Sequence, residues 1–151
     1  MEPGRLSRDG FLGNDSRTLQ DIIAADLATL QAAGIERENA ANLLDELHEA
    51  ADEALETPKT VCNGQVALLA TEVRGRISCP FGCGTRVHKA NIRIQARGLD
   101  LLLTPLSTHM IRRHGFFQGR GSPFRIEPDD LVTLYRICRS GTSGTEKNAE
   151  R

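Results

Sequence analysis

The chain has 151 residues, no Trp, one Tyr and five Phe, enough for one medium domain or two small ones with an aliphatic core. Its longest purely apolar run, Val66–Ala70, falls far short of the ~20 residues a bilayer crossing needs, and the charged N-terminus has no apolar signal core behind it. The net charge of −1 hides a division: residues 1–60 hold 13 acids against 5 bases, whereas residues 74–125 hold 10 bases and one acid, Asp100.

Residues 1–16 carry Pro3, Gly4, Gly10 and Gly13 and read as an irregular lead-in. Asp15 or Ser16 is placed to cap a helix from about Arg17, with Leu19, Ile22, Ile23, Leu27 and Leu30 on one face. Gly34 ends it. A second helix is expected from Glu36 to Leu55, with Ala40, Leu43, Leu44, Leu47, Ala51 and Leu55 inward and an acidic outer face. The short connection predicts an antiparallel helical hairpin over 17–58. After a connector, Gln65–Ile77 reads as a strand. Ile92–Ala96 and Leu99–Leu103 read as two more, joined at Arg97-Gly98. Thr104-Pro105 starts a helix that Gly115 stops. A glycine-rich loop follows, then a short strand at Phe124–Ile126 and a last helix capped by Asp129 or Asp130. The tail over 140–151 is polar. The expected fold is α+β: the acidic hairpin plus a basic, metal-stapled β-hairpin/helix domain over 62–139.

Cys79 and Cys83 enclose Pro80-Phe81-Gly82, a tight turn that can aim both sulfurs at one ion. His109 and His114 lie at the end of the expected helix. Two thiolates and two imidazoles suit a structural Zn²⁺. Five steps along an ideal helix turn about 500°, so the two rings start roughly 140° apart, and they converge only if the last turn loosens at Gly115. With no signal core, the cysteines read as ligands or free thiols in a cytoplasmic protein rather than as disulfides. Cys62 and His88 are the spare ligands, and Cys138 falls on the apolar face of the last helix.

In residue type and order, Cys79, Cys83, His109 and His114 resemble the two-Cys, two-His zinc-finger superfamily. The resemblance covers about residues 77–115 and implies a zinc-stapled hairpin and helix. It departs from the family in one respect: 25 residues separate Cys83 from His109, against about twelve in the family. The family's base-reading positions are therefore not carried over. The stretch His114–Arg125 resembles segments of uncharacterised bacterial proteins and implies no function.

Arg86, Lys89, Arg93, Arg97, Arg112, Arg113, Arg120 and Arg125 are the candidate contacts to an anionic partner. Phe116 and Phe117 suit a small core better than a stacking surface. A closed four-ligand shell leaves no position for substrate. The expectation is a non-enzymatic zinc-binding regulator. Its basic module would contact nucleic acid, and its acidic hairpin a partner or a second copy. The alternative is an adaptor whose arginines meet an acidic protein surface, this chain's own hairpin included. A metal-dependent nuclease with His88 as base ranks third.

Overall fold

Four antiparallel strands in the order β1-β2-β3-β4 form the centre of the molecule: β1 (Lys59–Val61), β2 (Val66–Ser78), β3 (Arg86–Ala96) and β4 (Leu99–Leu103). Around them lie α1 (Leu19–Ala32), α2 (Arg37–Glu53), α3 (Pro105–His114) and α4 (Pro128–Ser143). The computed structural model describes residues 15–54 and 56–143. The lead-in and tail expected at 1–14 and 144–151, and Leu55 of the expected helical stripe, lie outside the described residues.

Alternation decides the buried face of the sheet. Val66, Leu68 and Ala70 of β2, Ile92, Ile94 and Ala96 of β3, and Leu101 and Leu103 of β4 are buried, because every second side chain points to the same side. They meet Leu43, Leu44 and Leu47 of α2 and Leu131, Leu134 and Cys138 of α4 in one cluster. Leu69, Arg93 and Gln95 stand on the exposed face. The α+β class is as expected, with the helices at the N-terminus. The boundary expected between 58 and 62 does not divide the core, since the large cluster draws on both sides of it. The first two helices join at Gly34, φ +76°, yet α1 packs on α4, and α2 on α3 and β2.

Local chemistry accounts for several boundaries. Thr104 accepts from the Ser107 N–H and Pro105 begins α3. Thr18, not Asp15 or Ser16, caps α1 by accepting from the Asp21 N–H. Asp15 is buried instead. It accepts from the Arg17 side chain at 2.6 Å and 2.9 Å and from the Arg120 N–H at 3.1 Å, tying the start of α1 to the glycine-rich loop. The strand expected at Phe124–Ile126 is irregular. Arg125 there turns inward to Asp26 of α1, at 2.9 Å and 3.0 Å. The last helix starts one residue before Asp129, at Pro128, and runs into the expected tail as far as Ser143.

Cys62 and Cys138 form a disulfide, with Cα atoms 4.9 Å apart. This corrects the reading of Cys62 as a spare ligand and of Cys138 as a core thiol. It also removes the cysteine argument for a reducing compartment, because disulfides persist where conditions are oxidising. No helix among the described residues is long and apolar enough to cross a membrane.

Candidate metal centre

The two cysteines occupy the turn of the long β2–β3 hairpin. Ser78 pairs with Arg86, and Cys79–Thr85 form the loop between them. The Cys79 N–H donates to the Thr85 carbonyl at 2.9 Å, and the Gly82 N–H donates to the Cys79 carbonyl at 3.2 Å. Gly82 and Gly84 take φ of +74° and +87°, the region where a side chain is costly, so the loop can curl back on itself. Cys79 is buried within a small second cluster with Ile22, Leu106, Met110 and Phe116, whereas Cys83 is exposed.

The histidines arrive on α3. Its last turn keeps the regular four-residue bond, from the Gly115 N–H to the Ile111 carbonyl at 3.1 Å, and widens only beyond it, where the Phe116 N–H reaches back six residues to the Met110 carbonyl at 3.1 Å. Gly115 has φ +66°, and a Cβ there would lie 3.0 Å from Arg37 Nη1 and 3.1 Å from Leu27 Cδ1. The His109 and His114 rings end with centroids 5.5 Å apart. Phe81, from the cysteine loop, stacks on His114 at 4.1 Å with planes 6° apart.

Cys79, Cys83, His109 and His114 thus converge, with one donor atom from each within 4.8 Å of all the others. A tetrahedral ion with bonds of about 2.0–2.3 Å holds its donors roughly 3.3–3.8 Å apart, so a contraction of about 1 Å closes the shell. The electrostatics suit a cation. Cys83 is pulled down to about 5, first by the hydroxyl and backbone N–H of Thr85 and then by the neighbouring imidazoles. Its sulfur lies 3.3 Å from His109 Nε2. Burial pushes the Cys79 thiol up, and a metal is what would make it a thiolate. His114 Nε2 is buried with no hydrogen-bond partner among the described residues, a cost that a bound ion would remove. The residues present fit a metal ion.

The 25-residue gap now has a shape. β3 carries the chain about 34 Å away from the cysteine loop, and β4 and α3 bring it back over about 27 Å. One strand, β4, lies between the cysteine hairpin and the histidine helix. His88, the other spare ligand, is exposed on β3 opposite Arg76 and outside the cluster. Two contributors escaped the sequence reading, Thr85 and Phe81. The only signal was their position in or beside the cysteine loop.

The candidate anion contacts separate into two groups. Arg112 lies between Glu38, Asn42 and Asp45 of α2, 2.7 Å from the Asp45 carboxylate. Arg125 is buried against Asp26 and also reaches Glu127. Both brace the fold through acids of the same chain, Arg125 from a buried position and Arg112 from a half-buried one. Arg93 pairs with Asp100 at 2.5 Å, and Arg97 donates to Gln65. Arg86, Lys89, Arg113 and Arg120 have exposed side chains and no ion pair among the described residues; neighbouring Arg74 and Arg76 share that state. Phe116 and Phe117 are core residues, 0% and 2% exposed. Comparison of the chain with protein-family models, with curated proteins and with solved structures finds no match.

Proposed function

We propose that the cluster is a structural Zn²⁺ site and that the basic arm it anchors binds nucleic acid, making the protein a non-enzymatic regulator. Zinc is the ion that two thiolates and two imidazoles in a tetrahedron suit best. Cys79, Cys83, His109 and His114 would hold it, and with all four engaged no position remains for a substrate. This is the finger superfamily's ligand set on a longer hairpin.

One observation carries the functional reading. Acids of the same chain neutralise Arg112, Arg125 and Arg139, but Arg74, Arg76, Arg86 and Lys89 on the distal β2–β3 arm have none among the described residues. Four exposed cations without an ion pair thus share one element beside the metal cluster, with Arg113 and Arg120 further along the chain, and a polyanion can reach that cluster of charge. Glu38, Asp45 and Glu46 of α2 meet Arg112 and Arg139, the intramolecular form of the adaptor reading, and this leaves the cations of the arm for an outside partner.

The test is binding of a mixed-sequence oligonucleotide across a salt series. Affinity is expected to fall steeply with salt, and Arg76→Ala with Arg86→Ala is expected to flatten that slope by about 2. Absence of binding at low salt would overturn the reading in favour of an acidic protein partner.

A further inference from the structure

Beside the arm, between β3, the start of α3 and the glycine-rich loop, lies an apolar recess of about 400 Å³, walled by Ile77, Leu106, Pro123 and Phe124. That volume falls within the range of small-ligand sites, about 300–1,000 Å³. Asn91 on its wall has no side-chain hydrogen bond among the described residues, so its amide can offer both a donor and an acceptor. A second, more open groove of about 970 Å³ runs along the arm past Arg74, Arg76 and Arg86. Asp52, 3.5 Å from His48, and Glu56 also line this groove, so a phosphate chain would run along its arginine side. Val73, His88, Lys89 and Ala90 line both concavities, which therefore meet along one edge.

We infer that the recess takes one unstacked base of a single-stranded nucleic acid while the adjoining groove follows its phosphates. The inference rests on the nucleic-acid reading above and specifies its ligand. A flat, apolar-faced, hydrogen-bonding unit joined to repeated negative charges is the chemistry that an apolar slot with one free amide, opening onto an arginine groove, complements. A duplex hides its base faces in the stack and offers none to a recess. A free mononucleotide would leave most of the groove's cations unused. Phe124 forms a wall of the recess and is the residue placed to contact the base.

The chain contains no tryptophan, so Phe124→Trp in the full, zinc-loaded protein supplies a single reporter. Single-stranded oligonucleotide is expected to quench it. An oligonucleotide with abasic sites should bind about tenfold more weakly without quenching. In a protein otherwise unchanged, Asn91→Ala should cost affinity for single strands but not for the abasic strand. If single strand, duplex and abasic strand bind alike with no quenching, the base pocket is wrong and backbone binding stands. A mononucleotide as tight as the oligomer also overturns the pocket's link to the groove. No binding by any of them removes both readings.

Discussion

The two ends of the long β2–β3 hairpin are held in opposite ways. At the sheet end, Val66, Leu68, Ile92 and Ile94 lie under α2 and α4, and a disulfide fastens the β1–β2 turn to α4. At the far end the fully buried core shrinks to Ile22, Cys79, Leu106, Met110 and Phe116, and Phe81, half-buried against it, also stacks on His114. So little apolar surface cannot offset the entropy of ordering a hairpin tip. The four candidate metal ligands occur where the buried core thins. The difference predicts that a metal held by this cluster would substitute for core at the tip, while the rest of the sheet stands without it.

Removing the metal is the strongest way to break this comparison. Structural zinc contributes about 10–16 kcal/mol in small modules, so chelation or Cys79→Ser should abolish order at the tip. Hydrogen exchange should then show lost protection over 76–88 and the end of α3, with β2 near Val66 and α4 still protected. Loss of protection throughout the chain would make the two ends one unit. Metal analysis should give about one zinc per chain, and a metal-free protein with an ordered tip would refute the substitution.

At the sheet end, Cys138→Ser should destabilise by about 4.5 kcal/mol if the cross-link acts by closing a long loop. It should leave metal content unchanged, as read by denaturant titration beside metal analysis. Asp26→Ala leaves Arg125 buried without its main partner. Burial opposes that charge, but Asp26 and Glu127 outweigh it and hold the guanidinium pKa above its usual value. Breaking such a pair costs about 3–5 kcal/mol, and Asp26→Ala with Arg125→Met should recover much of it.

The smallest effect concerns acid. The Arg17 guanidinium and the Arg120 N–H hold the Asp15 carboxyl well below the usual carboxylate range, against the opposing effect of burial. The stability it contributes is therefore complete above its unfolded pKa of about 4 and is lost as pH falls below that. Asp15→Asn should cost about 2 kcal/mol at pH 7 and shrink the difference between melts at pH 7 and pH 3.

What could be read in the sequence was local. Thr104-Pro105 and Gly115 each carry their own cap chemistry, and α3 begins and ends on them. The Arg97-Gly98 turn joins β3 to β4, and the four candidate ligands converge. What could not be read depends on distant partners. Arg86–Asn91 lacks alternation of its own and is a strand because β2 pairs with it. Asp26 and Arg125 are 99 residues apart, and Cys62 and Cys138 are 76 apart; no spacing rule links either pair. α1 and α2 share a short turn that suggested mutual packing, but their apolar faces found α4 and α3 instead.

The cross-link between Cys62 and Cys138 makes a ring of the chain, and all four candidate metal ligands lie inside it. A tip that has lost its ion remains on a tether closed at both ends. The search volume of each donor for the others is then bounded by the ring, so their effective concentration stays high. Recapture still begins with an ion from solution, but once one donor holds it the engagement of the others is intramolecular. Cutting the ring by reduction would slow that recapture without touching a single ligand.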